Sequence, residues 1–185
     1  LGMRVLAIGK ATWPGNDYPL VQQDFRFEIL GLLAFQDPPK PNMAATIETL
    51  HKAGIQVKMI TGDYVATALA IANQLKLSKH QAVITGKEVM ALSMQELQAQ
   101  VKETNIFARM YPEAKLKVIR ALQNNGEVVA MTGDGVNDAP ALKAAHIGIA
   151  MGKRGSEVAK NAASLVLTDD DLSHMTEAVA LGRKI

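Results

Sequence analysis

The sequence predicts an α/β fold: a mostly parallel sheet covered by helices on both faces. Three observations predict it. Short apolar runs alternate with amphipathic stretches, the connections between them are short, and two apolar runs end in the same tripeptide, Thr61-Gly62-Asp63 and Thr132-Gly133-Asp134. Alternating strands and helices with short links pack as parallel sheets, and ligands bind beyond the carboxyl ends of their strands. No repeat is visible beyond the shared tripeptide.

The elements follow in order. Val5 to Ile8 is a short apolar run, and Trp13 to Pro19, with Pro14, Gly15, Asn16 and Asp17, is a loop. Phe25 to Phe35 is a long strand candidate that stops at Asp37-Pro38-Pro39, where proline removes backbone donors. Met43 to Ala53 has helical spacing of Ile47, Leu50 and His51, and Gly54 ends it. Ile55 to Ile60 is a strand, and Thr61-Gly62-Asp63 opens a helix that runs to Leu75. Gln81 to Thr85 is a short strand. Ser93, with Glu96 three residues on, carries the signature of a capping box and starts a helix. Asn105 to Ala108 is a strand, and Glu113 to Asn124 is an amphipathic helix ended by Gly126. Glu127 to Met131 is a strand, Ala139 to Ala145 a helix with Pro140 in its first turn, and Ile147 to Ala150 a strand. A helix near Ser156 to Asn161 leads to a last strand, Ser164 to Leu167. Asp169-Asp170-Asp171 is expected to cap an amphipathic helix over Leu172 to Ile185.

Composition narrows the function. The chain has 185 residues, 48% of them hydrophobic, enough to bury a core. The net charge is +2 with no run of Lys or Arg, which argues against nucleic acid as a partner. There is no cysteine, which excludes disulfides and thiolate metal sites. No stretch approaches the roughly 18 apolar residues of a membrane-spanning helix. The start, Leu1-Gly2-Met3-Arg4, has no signal-peptide order and reads as a cut inside a longer protein.

Candidate chemistry sits after the strands. Thr132-Gly133-Asp134-Gly135-Val136-Asn137-Asp138 brings two carboxylates and an amide into one tight loop. Carboxylates four residues apart among glycines suit Mg²⁺, a hard cation held by one or two carboxylates plus phosphate oxygens. The bland alternative is an ordinary Asp- and Gly-rich turn. Thr61-Gly62-Asp63 offers a hydroxyl and an unhindered N–H at a helix start, which favour a phosphoryl group; the alternative is a simple N-cap. Lys115 lies in the first turn of its helix, where a cation opposes the macrodipole. That suggests a charge kept for neutralising phosphate, against the alternative of a solvated surface lysine, for which Lys117 is the comparator.

Together these motifs resemble the P-type ATPases. Thr132-Gly133-Asp134-Gly135-Val136-Asn137-Asp138-Ala139-Pro140-Ala141-Leu142-Lys143 is similar to the family's hinge-loop signature. Thr61-Gly62-Asp63 resembles its second phosphate motif, and Asp37-Pro38-Pro39 the return from its nucleotide domain. Phe107-Ala108-Arg109, then Pro112 and Lys115, resembles Ala-Arg…Pro-x-x-Lys, and Met3-Arg4-Val5-Leu6-Ala7 the last strand region of the nucleotide domain. The likeness spans nearly the whole chain.

The resemblance implies a Rossmann-like, three-layer sheet of the haloacid-dehalogenase type. It implies ATP as substrate and Mg²⁺ as cofactor, with an aspartyl-phosphate driving a membrane domain. Carried over, Asp134 binds Mg²⁺, while Asn137 and Asp138 order the metal shell and phosphate. Thr61, Gly62 and Lys115 hold phosphoryl oxygens. Arg4, Asp63 and Arg109 lie near the nucleotide, and Asp37 near the domain hinge. Residues 1–24 correspond to the end of the nucleotide domain, 25–171 to the phosphorylation domain and 172–185 to a stalk helix. The portion is expected on the cytoplasmic side of a membrane protein, and the segment pattern leans towards a calcium-type pump.

One departure is plain. The family phosphorylates the Asp of Asp-Lys-Thr-Gly-Thr, and that motif is absent here; Asp24, Asp37 and Asp63 lack its context. The expected sheet therefore lacks its first, nucleophile-bearing strand and has a strand-sized slot that other sequence must fill, because buried unpaired backbone is costly. The fragment is expected not to react alone. Its partners would be ATP and the missing nucleotide, actuator and transmembrane domains of the same pump. The alternatives are a soluble phosphatase of the same fold, or a fragment that only binds Mg²⁺ and nucleotide.

Overall fold

The computed structural model describes residues 3–77 and 82–184, with the Arg4 side chain left outside the description. The chain divides at Pro38 and Pro39 into two compact units. The first contains β1 (Arg4–Lys10) and β2 (Glu28–Phe35), paired antiparallel with a bulge between Ile8 and Gly9. A single 3-10 turn, Gln22–Asp24, lies between them. The connecting loop folds on its aromatic residues: Phe25 packs against Trp13, Tyr18 and Phe27. Thus β2 belongs with β1, past the boundary expected after residue 24. Strand β2 is exposed along its whole length, so this ribbon has little core of its own.

The second unit carries the parallel sheets. Strands β3 (Met59–Ile60), β4 (Val83–Thr85) and β5 (Ile106–Ala108) form one in the order β3-β5-β4. Strands β6 (Ala130–Gly133), β7 (Ile147–Met151) and β8 (Leu165–Leu167) form the other in sequence order. All four pairings are parallel. The helices between them are α1 (Met43–Lys52), α2 (Val65–Gln74), α3 (Gly86–Ala91), α4 (Met94–Glu103), α5 (Pro112–Asn124), α6 (Ala139–Ala144), α7 (Glu157–Ala162) and α8 (His174–Gly182).

Strand β5 shows why helices cover both faces. Successive strand side chains point to opposite sides. Ile106 and Ala108 join Ile47, Ala68, Ala72 and Leu77, from α1, α2 and the turn after it. Phe107 points the other way, into Val89, Leu97, Val101, Val118 and Ile119 of α3, α4 and α5. That second cluster continues through Met131, Leu142, Ala150 and Ala159, so one core underlies both sheets. Each large apolar side chain removed from water there contributes about 1.5–3 kcal/mol.

The helix signals act as expected in several places. Ser93 and Glu96 form a reciprocal capping box at α4. Gly54 and Gly126 end α1 and α5 with φ of +73° and +84°, a left-handed backbone that glycine adopts without steric cost. Ile55 N–H then returns to Leu50 O, and Glu127 N–H to Leu122 O, satisfying otherwise open helix carbonyls.

Other expectations are corrected. The strand expected over Ile55 to Ile60 is formed only at Met59–Ile60, and that over Glu127 to Met131 shifts to Ala130–Gly133. Gln81 lies outside the described residues. A helix unread in the sequence, α3, begins with a capping box between Thr85 and Glu88. Thr61-Gly62-Asp63 does not open α2, because the N-cap is Tyr64. The Asp169-Asp170-Asp171 run does not cap α8 either; Ser173 occupies that N-cap. Buried Asp170 instead accepts from the N–H groups of Lys153 and Arg154, at 2.9 and 3.0 Å, and so clamps the loop after β7. Asp171 accepts from Asn42 before α1, and Asp169 pairs with His174. Helix α8 ends at Gly182 and has no buried residue; Ile185 lies outside the described residues. No helix among the described residues is long and apolar enough to cross a membrane.

Candidate functional site

The carboxyl ends of β3, β6 and β7 open on one cavity of about 370 Å³, lined by Ile60, Thr61, Gly62, Lys115, Met131, Thr132, Gly133, Asp134, Asp138 and Met151. Among the described residues, β3 and β6 are the end strands of their sheets, and each is paired on one side only. Met59 and Thr61 donate their N–H groups towards the β5 segment, at Asn105 O and Phe107 O. Backbone direction alternates along a strand, so Ile60 turns its groups to the open side.

The loop after β6 is built around Asp138. One carboxylate oxygen accepts from Lys115 Nζ at 2.5 Å, and both side chains are about nine-tenths buried, with exposures of 11% and 12%. The other oxygen accepts from the N–H groups of Asp134 and Gly135, at 3.4 and 3.3 Å. Gly133 permits this approach, since a Cβ there would sit 2.6 Å from the Cβ of Asp138. Ser156, the N-cap of α7, donates its N–H to Asp134 O at 2.8 Å and fixes the loop from below. Asp138 is thus a buried acceptor that ties the loop to α5. Asp134 is exposed, and its carboxylate has no partner among the described residues.

The loop after β3 is held by its own threonine. Thr61 Oγ1 donates to Asp63 Oδ2 at 2.9 Å and accepts from Asp63 N–H at 3.1 Å. The hydroxyl therefore closes a local turn, and Gly62 N–H is left without a partner among the described residues. A Cβ on Gly62 would meet only Met110 O, at 3.6 Å, an ordinary contact. Packing does not demand glycine there; what its absent side chain preserves is access to the cavity. Beside the cavity, Arg109 N–H bonds to Asp63 O and Met110 N–H to Thr61 O, both at 2.9 Å.

Of the residues singled out in the sequence, Thr61, Gly62, Lys115, Asp134 and Asp138 line the cavity together. Asp63 and Arg109 stand next to it, Asn137 is exposed and outside its lining, and the Arg4 side chain lies outside the described residues. Lys115 is not a solvated lysine. Lys117 is no neutral comparator either: its Nζ donates to Val89 O, Met90 O and Leu92 O, the carbonyl end of α3. Sequence reading also missed Ser156 and Tyr64; Ser156 was legible as an N-cap, whereas nothing in the sequence linked it to Asp134.

The donor set fits Mg²⁺ with phosphate better than a closed metal site. No group of three metal-binding side chains occurs among the described residues. Asp138 is committed to Lys115, so among the described residues the cavity lining offers one free carboxylate, Asp134. Mg²⁺ is commonly held by one or two carboxylates, with water and phosphate oxygens completing its shell. The free Gly62 N–H suits an anion beside it.

Comparison with known proteins gives the family of the chain. The family model described as haloacid dehalogenase-like hydrolase matches residues 7–146. The chain is 47% identical to the probable cation-transporting ATPase F of Mycobacterium tuberculosis, covering 100% of this chain and 21% of that protein. It is 44% identical to a calcium-transporting ATPase of Bacillus subtilis, over 99% of the chain and 21% of the relative. It is 43% identical to human calcium-transporting ATPase type 2C member 1, over 100% of the chain and 19% of that protein. The chain spans about a fifth of the length of these relatives.

Proposed function

This chain belongs to the haloacid dehalogenase-like hydrolase family, and from that premise we propose that it is catalytic sequence of a P-type, ATP-driven cation pump that forms an aspartyl-phosphate with Mg²⁺. One observation carries the reading: Thr61 and Gly62, Lys115, and Asp134 with Asp138, far apart in sequence, converge on a single cavity at the carboxyl ends of parallel strands.

Each residue then has a task. Asp134 holds Mg²⁺, which supplies charge neutralisation where phosphate oxygens gather. Gly62 N–H and Lys115 bind phosphoryl oxygens, and Thr61 does so once its hydroxyl turns from Asp63. Asp138 keeps Lys115 aimed and ordered, with Asn137 beside it. Asp63 and Arg109 face the nucleotide. Such positioning and charge neutralisation are the main demands of phosphoryl transfer. The nucleophilic aspartate is supplied by sequence outside this chain, on a strand that enters between β3 and β6. Their unpaired edges, and the exposure of Val128 at 80%, support that placement. The chain alone binds Mg²⁺ and ATP without reacting.

With the boundary moved to the division at Pro38 and Pro39, residues 1–38 serve as the end of a nucleotide domain, 39–171 as the phosphorylation domain and 172–185 as the start of a stalk, all on the cytoplasmic side. The names of two relatives above support calcium as the transported ion. Matches to segments of pumps along essentially the whole of this chain weigh against a free-standing phosphatase. In the full-length pump, Asp134→Ala is expected to lower phosphoenzyme formation about 100-fold or more. Lys52→Ala, at an exposed pair with Glu48, leaves it unchanged. Equal phosphorylation of the two variants would overturn the assignment.

A further inference from the structure

Tyr64 and Arg109 hold a costly arrangement at the rim of the cavity. Arg109 follows the end of β5 with φ of +53°, a left-handed backbone that a residue with a Cβ keeps only where its surroundings compensate. The compensation is visible. This turn aims Arg109 N–H at Asp63 O and the next N–H, of Met110, at Thr61 O, while Thr61 N–H reaches Phe107 O, all at 2.9 Å. Gly86 makes room, since a Cβ there would lie 2.6 Å from Arg109 O. Three main-chain bonds thus bind the Thr61-Gly62-Asp63 loop to β5 and the segment that follows it.

The side chains close the arrangement. The Arg109 guanidinium lies over the Tyr64 ring, 4.3 Å from its centre. Arg109 makes no ion pair among the described residues, and Tyr64 is 68% exposed. Tyr64 is also the N-cap of α2 and makes no side-chain capping bond. Ser, Thr, Asp or Asn would cap that helix better. The aromatic ring at this position is accounted for by the stack and not by the helix.

We infer that Tyr64 is a positioning residue that, by stacking on Arg109, holds the Thr61-Gly62-Asp63 loop in the shape that lines the cavity. The consequence for phosphate rests on the pump reading; the latch itself does not. The first test reads the latch directly, by amide hydrogen exchange on this chain. In Tyr64→Ala, the Arg109 and Met110 amides exchange two- to fivefold faster, the factor carried by an exposed cation–π contact. The Val118 amide, inside α5, keeps its rate, and Tyr64→Phe restores the wild-type rates at both latch amides. The second test uses inorganic phosphate with the full-length pump. Half-saturation for phosphoenzyme formed from phosphate rises two- to fivefold in Tyr64→Ala and returns in Tyr64→Phe. Unchanged exchange at Arg109 and Met110, or a Phe variant that behaves like Ala, would overturn the latch. Faster exchange with unchanged phosphate half-saturation would overturn its link to the cavity. A wild-type pump that forms no phosphoenzyme would sink the pump reading, and the exchange result would still decide the latch.

Discussion

Gly62→Ala separates a glycine kept for ligand access from one kept for the fold. Gly62 does not have the positive φ that disfavours side chains, and a Cβ there touches only Met110 O, at 3.6 Å. An alanine that fits the native backbone stabilises by about 0.4–1 kcal/mol, because it restricts the unfolded chain. For a chain of this size that is a rise in Tm of about 1–4 °C. The methyl group would stand on a cavity-lining residue, beside the free Gly62 N–H, where a phosphoryl oxygen would bind. Loss of one hydrogen bond to a charged group costs about 1.5–3 kcal/mol, so phosphate-dependent phosphorylation is expected to fall roughly 10- to 100-fold. The assays are thermal melting of this chain and phosphoenzyme formation by the full-length pump. A lower Tm would show that the fold itself needs glycine at residue 62. An unchanged phosphorylation level would show that the amide binds no phosphate. Either result refutes the reasoning.

Three further outcomes are expected. Lys115→Met leaves Asp138 as a buried charge with only two weak N–H donors, and removing one member of a buried pair costs about 3–5 kcal/mol; urea unfolding that moves by less than about 1 kcal/mol would contradict a buried pair. Lys117→Ala frees three carbonyls at the end of α3 and is expected to destabilise the chain by about 1–3 kcal/mol, while the full-length pump still forms phosphoenzyme; a wild-type melting curve would argue against this anchor. His174 is held above its ordinary pKa mainly by the hydrogen bond to Asp169, then by that carboxylate's charge and by Glu177. A raised folded pKa stabilises fully below about 6.5, the unfolded value, and the gain fades as pH rises through the folded value. The Tm deficit of His174→Gln should therefore be larger at pH 5.5 than at pH 9, and a deficit that grows with pH would reverse the sign.

Local chemistry was readable wherever the cause lay within a few residues. The capping box at Ser93 and Glu96 and the glycine stops at Gly54 and Gly126 need only neighbouring donors and backbone freedom. The same rule would have located α3 from Thr85 and Glu88, where the sequence carries the identical spacing. Strand lengths were overestimated, because apolar runs such as Ile55 to Ile60 continue past the point where a neighbouring strand offers partners. Spacing also misled at Asp169-Asp170-Asp171: Asp170 and Asp171 satisfy donors brought in from residues 153, 154 and 42, while the adjacent helix is met only at its edge, through Ser173 N–H and the His174 side chain.

The order of residues alone determined the α/β class and the family, because apolar alternation and the Thr-Gly-Asp strings are local records of strand and turn. It also picked out the cavity-lining residues Thr61, Gly62, Lys115, Asp134 and Asp138. Only tertiary packing decided which of them are free to act. Asp138 is spent on Lys115 and two amides, the Thr61 hydroxyl is turned to Asp63, and Asp134 and the Gly62 amide remain open. Only packing set Arg109 against Tyr64 and made an anchor of Lys117. The physical reason is that a polar group's partner is chosen by distance in space, and a parallel sheet brings together strand ends that are dozens of residues apart in sequence.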